Sequence, residues 1–136
     1  KLMKPGTRIL IVEDDALLRQ LLARALTLAG YAVAEADDGQ EAIVQFELNP
    51  AELVLTDIVM PNQEGLETIG KLLRKNPVPK IVAMSGGGIM DPGGYLAMAR
   101  KLGAAATLQK PFSHEQMLET LAQVLAPRRN APVAAG

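Results

Sequence analysis

The chain has 136 residues, the common size of one domain, and a chain of that length buries roughly two-thirds of its unfolded surface. Hydrophobic residues make up 49% and aromatic ones only 3%, so Leu, Ile, Val, Ala and Met must build the core, and stacked-base recognition lacks its platforms. The net charge of −1 marks no nucleic-acid surface, and the absence of cysteine excludes disulfides, thiolate metal sites and Cys nucleophiles.

No apolar run approaches the ~20 residues of a membrane span. Lys1 to Gly6 carry charges with no apolar core behind them, and Ile9 to Val12 ends at once in three acids. Neither a signal peptide nor a membrane partner is expected, and a cytoplasmic protein is. Arg128 and Arg129, near the C-terminus, form a basic pair too small for a binding patch.

In chain order, Ile9 to Val12 is a continuous, β-branched apolar run, which predicts a strand buried on both faces, as in a parallel sheet. Glu13-Asp14-Asp15 follows, and Asp14 or Asp15 can cap the next helix. Leu17, Leu18, Leu21, Leu22, Ala25 and Leu28 give that helix its apolar stripe, and Gly30 closes it. Tyr31 to Ala36 reads as a short strand, Asp37-Asp38-Gly39 as a turn, and Gln40 to Leu48 as a helix with Ala42, Ile43 and Phe46 inward, ended by Asn49-Pro50. Leu53 to Thr56 is a third strand. After a loop from Pro61 to Gly65, a third helix turns Leu66, Ile69, Leu72 and Leu73 inward.

Ile81 to Met84 is the fourth strand, closed by Ser85-Gly-Gly-Gly88. Tyr95, Ala99 and Leu102 keep a helical stripe through the glycine-weakened segment from Met90 to Leu102, and Gly103 closes it. Ala105 to Leu108 is the fifth strand. Ser113 caps a last helix with Met117, Leu118, Leu121, Val124 and Leu125 inward, and residues 127–136 are expected to form a flexible tail. Strand and helix alternate five times, so the fold class is α/β: a doubly wound, five-stranded parallel sheet with helices on both faces, over residues 7–126.

"LVLTDIVMP", Leu53 to Pro61, places one carboxylate, Asp57, at the end of an apolar strand. In an open parallel sheet, ligands sit beyond the carboxyl ends of the strands. The first strand delivers Glu13 and Asp14 there, the third Asp57, the fourth Ser85 and the fifth Lys110. Three carboxylates on one rim repel one another without a cation. Mg²⁺ suits them best, since it takes one or two carboxylates, keeps waters and bridges phosphate oxygens. Lys110 can neutralise an incoming phosphoryl group, Ser85 can bond one of its oxygens, and Asp57 can accept it covalently.

With these residues in place, "ILIVEDDALLR", "LVLTDIVMPNQEGLE", "IVAMSG" and "LQKPF" resemble, in order and separation, the four signatures of the receiver domain of two-component response regulators. The resemblance covers about Arg8 to Leu125. It implies the flavodoxin-like strand order 2-1-3-4-5 and Asp57 as the phosphoacceptor. It also implies Glu13, Asp14, Asp57 and the carbonyl of Val59 as Mg²⁺ ligands, Ser85 as the switch hydroxyl, and a cis bond between Lys110 and Pro111. Thr107 stands where the family often has an aromatic switch residue; a hydroxyl cannot swing as a ring does. The implied phosphodonor is a sensor histidine kinase or a histidine phosphotransfer protein, and the implied output is a downstream protein met through a switched face.

The domain is expected to act without direct nucleic-acid contact, as a monomer or weak dimer, with no output domain in this chain. It is expected not to be an enzyme beyond assisting its own phosphorylation. Slow self-dephosphorylation is expected, because Val59 and Gly87 offer no side chain to orient a water. The alternative is a pseudo-receiver that binds partners without phosphorylation. An aspartyl phosphatase fits less well, since Val59 stands where such enzymes place a second Asp, and no GxxxxGK[ST] motif supports a nucleotide-binding domain.

Overall fold

The computed structural model describes residues 6–58, 64–86 and 92–127. The elements are β1 (Arg8–Val12), α1 (Ala16–Leu28), β2 (Ala32–Ala36), α2 (Gly39–Leu48), β3 (Leu53–Asp57), α3 (Glu64–Leu72), β4 (Lys80–Ser85), α4 (Pro92–Leu102), β5 (Ala106–Gln109) and α5 (His114–Leu125). The strands form one parallel sheet in the order β2-β1-β3-β4-β5, as the resemblance implied. No described helix is long and apolar enough to cross a membrane.

Side chains alternate across a strand, so each central strand feeds two cores. Ile9 and Ile11 point to one face, with Leu53, Leu55, Val82 and Met84, against Leu22 and Leu26 of α1 and Met117 and Leu121 of α5. Leu10 and Val12 point to the other, with Val54, Ile81 and Ala83, against Phe46 of α2, Ile69 and Leu72 of α3 and Ala99 of α4. This two-sided burial is why the strands read as continuous apolar runs.

Two expectations about helix faces are corrected. In α1, Leu17, Leu21 and Leu28 are 67%, 46% and 77% exposed. At 3.6 residues per turn these three lie along one line of the helix, opposite the Leu22–Ala23–Leu26 face that meets the sheet. Leucines ring most of the helix, so spacing alone could not choose the buried side. In α4, Leu102 is likewise exposed, and Ala99 carries the buried contact. Strand ends also shift: β2 starts at Ala32, β5 runs one residue later than expected, and β3 and β4 extend to include Asp57 and Ser85.

The caps follow the sequence closely. Asp15 accepts from the Leu17 and Leu18 amides at 3.1 and 3.2 Å. Ser113 accepts from the Gln116 amide at 2.9 Å. Asp38 accepts from the Glu41 amide at 2.8 Å, and Glu41 Oε1 accepts from the Asp37 amide at 2.9 Å, a pair that satisfies one helix-end donor and ties down the residue before the cap.

The Asp37 amide holds the Glu41 carboxyl below its ordinary value of 4.5. A carboxyl with a lowered folded pKa contributes stability above its unfolded value, and that stability disappears as pH falls through the folded value. Glu41→Gln keeps a cap but loses the charge. The stability gap between wild type and Glu41→Gln should therefore shrink between about pH 6 and pH 3, as read by urea unfolding at each pH. A gap that is constant or widens on acidification would contradict this. Asp38→Ala, which removes the other half of the cap, should cost about 1 kcal/mol.

Candidate functional site

The carboxyl ends of β1, β3, β4 and β5 meet on one rim. β1 and β3 are neighbours in register, Val12 opposite Thr56, so the residues that follow them emerge side by side. Asp57 is opposite Met84, and Ser85 is opposite Gln109, which brings the start of the Lys110 segment to the same level. The Lys110 amide donates to the Ser85 carbonyl at 2.9 Å, and the Lys110–Pro111 bond is cis, as the resemblance implied.

The carboxylates of Glu13, Asp14 and Asp57 each bring one oxygen within 4.8 Å of the others. Glu13, Asp57 and Ser85 are 1%, 5% and 0% exposed, whereas Asp14 faces solvent. The Lys110 ammonium bridges two of the acids, donating to Glu13 Oε1 at 2.7 Å and to Asp57 Oδ2 at 2.8 Å. Four of the sequence-predicted residues therefore form one charged cluster, with Ser85 at the adjoining strand end. Thr107 sits in β5 opposite Ala83, half-buried, two positions along the sheet from the Ser85 level. Val59 and Gly87 lie outside the described residues.

The charges push against one another in a definite order. Burial raises the Glu13 carboxyl above its ordinary value, the Lys110 hydrogen bond and the Asp15 amide oppose that rise, and the neighbouring Asp57 adds to it. For Lys110, burial works against the charge. The hydrogen bonds to Asp57 and Glu13 outweigh it, so the ammonium is held above its ordinary value. The lysine is thus a fixed cation across the working pH range.

Three carboxylate oxygens within reach of one another, with no imidazole or thiolate among them, fit a hard dication such as Mg²⁺ better than zinc. With Asp57 nearly buried between a cation and two acids, the arrangement can hold a metal and present one carboxylate to an electrophilic phosphorus.

Three contributors were not apparent from the sequence. Arg19, on α1, donates from Nη1 to the Glu13 carbonyl at 2.7 Å. Thr56, fully buried, donates its hydroxyl to the Asp57 carbonyl at 3.0 Å. Gly65 lies so close to Ile58 that a Cβ there would stand 2.3 Å from the Ile58 Cα. The "EG" at Glu64-Gly65, just past the Asp57 loop, was the one available signal for the last of these.

Comparison with known proteins bears on the family and the fold. The family model described as response regulator receiver domain matches residues 9–122. The chemotaxis protein CheY of Thermotoga maritima is 35% identical over 120 residues, covering 88% of this chain and 98% of that protein. The transcriptional regulatory protein PdtaR of Mycobacterium tuberculosis is 36% identical over 115 residues, covering 84% of this chain but 54% of that one, so the chain spans about half of that relative.

Among solved structures, the chemotaxis protein CheY4 of Vibrio cholerae superposes with a TM-score of 0.80 at 27% identity, covering 88% of this chain and 99% of that one. A putative response regulator from Chloroflexus aurantiacus superposes with a TM-score of 0.81 at 25% identity, covering 91% and 100%. A family model matched over most of the chain, and a relative aligned along nearly its whole length, place this protein in the receiver domain family of two-component response regulators.

Proposed function

We propose that this receiver domain accepts a phosphoryl group on Asp57 from a phosphohistidine of a sensor histidine kinase or a histidine phosphotransfer protein, and that Glu13, Asp14 and Asp57 hold Mg²⁺ for the step. The observation that carries this reading is the Lys110 ammonium, held at 2.7 and 2.8 Å between Glu13 and Asp57 inside a three-carboxylate cluster.

An Asp57 carboxylate oxygen attacks phosphorus as the P–N bond of the donor histidine breaks. The electron pair leaves with the imidazole, which takes a proton from solvent, and a mixed aspartyl–phosphoryl anhydride remains. Bound Mg²⁺ supplies charge neutralisation of the acids and of the transferring oxygens. Lys110, released from Asp57 as that carboxylate is phosphorylated, neutralises a phosphoryl oxygen. The Ser85 hydroxyl donates to another and pulls the end of β4 inward. That displacement alters the face met by a downstream protein, without the ring rotation that Thr107 cannot provide.

The protein acts in the cytoplasm, by docking a partner or passing the phosphoryl group on. Self-dephosphorylation is slow, since neither Val59 nor Gly87 has a side chain that can orient the attacking water.

The test is incubation with acetyl phosphate, with Mg²⁺ or with EDTA, followed by intact mass measurement through the decay after quenching. A gain of one phosphoryl mass that needs Mg²⁺ and persists for minutes or longer is expected. A gain that is equal in EDTA would remove the metal from the account, and decay within seconds would remove the slow turnover. No gain with this donor or with a phosphorylated histidine phosphotransfer protein would favour a pseudo-receiver.

A further inference from the structure

The β1–α1 corner carries one contact that the phosphoryl chemistry above does not use. Arg19 sits one turn into α1, with its side chain largely buried although it is a charged residue. Its guanidinium makes two bonds in different directions. Nη1 donates to the Glu13 carbonyl at 2.7 Å, and Nε donates to Glu35 Oε1 at 3.1 Å on β2, the edge strand.

The Glu13 carbonyl belongs to the same rigid peptide unit as the Asp14 amide. Fixing that oxygen fixes the plane from which the Asp14 side chain departs. The rest of the corner is tied at other points. The Glu13 amide donates to the Ala36 carbonyl at 3.1 Å, the Asp15 amide donates to Glu13 Oε2 at 3.1 Å, and Asp15 caps α1. Glu13 is thereby held at its amide and carboxylate, and Asp15 at its amide and side chain. Asp14, the solvent-facing member of the acidic cluster, depends on the peptide between them.

We infer that Arg19 is a positioning residue: by holding the Glu13 carbonyl it orients the Glu13–Asp14 peptide and aims the Asp14 carboxylate at the cation position shared with Glu13 and Asp57. The inference rests on the reading of that cluster as a Mg²⁺ site. Glu35 takes the Nε end of the guanidinium and leaves Nη1 to the Glu13 carbonyl, and its own carbonyl accepts from Gln45 Nε2 at 2.6 Å. Partners that orient metal ligands from outside the coordination sphere change metal affinity by roughly 10- to 100-fold when removed.

The experiment compares wild type, Arg19→Ala, Arg19→Lys and Glu35→Ala in two readouts. Calorimetric titration gives the Mg²⁺ dissociation constant, and hydrogen exchange in EDTA gives the protection of the Asp14 and Asp15 amides. Arg19→Ala should raise the dissociation constant about tenfold and speed exchange at both amides. Arg19→Lys, which keeps a cation able to reach the carbonyl, should recover part of each.

Glu35→Ala removes the same ion pair but leaves the carbonyl contact, so it should stay within about twofold of wild type in affinity. Unchanged amide exchange in Arg19→Ala, or equal effects of Arg19→Ala and Glu35→Ala, would overturn the inference. A wild type that takes up no Mg²⁺ would instead overturn the cation reading of the cluster, and the metal-free exchange data would still decide whether Arg19 orients the corner.

Discussion

Lys110→Met should lower the stability of the metal-free protein by about 3 kcal/mol and lose most of that deficit once Mg²⁺ is added. In the metal-free state the ammonium is the cation that makes burial of Glu13 and Asp57 tolerable, at 2.7 and 2.8 Å. Methionine keeps much of the stem volume and removes only the charge and its donors. Two carboxylates, both nearly excluded from water, would then lose the cation they share. Removing one partner of a buried pair is costly for this reason, because the remaining charge keeps its desolvation cost.

Protonation of Glu13, already displaced upward by burial, limits the loss. A dication bound by the same acids supplies the missing positive charge, hence the rescue. The double variant Lys110→Met/Asp57→Asn should recover part of the deficit without metal. Urea unfolding in EDTA and in Mg²⁺ reads all of these. Equal stability of Lys110→Met and wild type in EDTA, or a deficit that Mg²⁺ leaves untouched, would contradict the charge account.

Two glycines of α3 should respond in opposite directions to the same substitution. Gly65→Ala should cost about 3 kcal/mol and slow phosphorylation. The added Cβ would stand 2.3 Å from the Ile58 Cα and 2.5 Å from the Ile58 oxygen, distances at which backbone must move. Ile58 follows Asp57 directly, and its amide is held by the Met84 carbonyl at 3.0 Å, so the displacement reaches the phosphoacceptor.

Gly70, in the same helix, has nothing within 4 Å of an added Cβ. Gly70→Ala should therefore stabilise the protein by up to ~1 kcal/mol, through helix propensity alone, and leave phosphorylation unchanged. Thermal unfolding and phosphorylation rate, measured on both variants, check the pair. A neutral Gly65→Ala would mean that the close approach of α3 to the Asp57 strand does not constrain the site.

The parts of this molecule that could be read from its residues are those where local pattern and global fold agree. β1, β3 and β4 are buried on both faces, so each appears as an unbroken apolar run ending in a chemically active residue. That made Glu13, Asp14, Asp57, Ser85 and Lys110 visible together as a rim. Ser113 announced its helix, and Asp15 was one of two candidates for the α1 cap, because a capping side chain acts within three residues.

The misses share a cause: they depend on which elements become neighbours. Leu17, Leu21 and Leu28 keep helical spacing yet face solvent, because the sheet covers only one side of a helix ringed with leucine. The Arg19 contact to the Glu13 carbonyl needs α1 to fold back over the β1 end. The Lys110 bridge links residues 97 and 53 positions apart, and only the sheet order brings them to one ammonium.

The central claim is that Asp57 is the residue that carries the phosphoryl group. The most direct measurement is reduction of the acetyl phosphate-treated protein with borohydride, which converts an aspartyl phosphate to homoserine, followed by peptide mass mapping beside Asp57→Asn. The account predicts homoserine at position 57 in the wild type and none anywhere in the variant. Homoserine at Asp14 or another acid, or a phosphoryl mass retained by Asp57→Asn at the wild-type level, would contradict it.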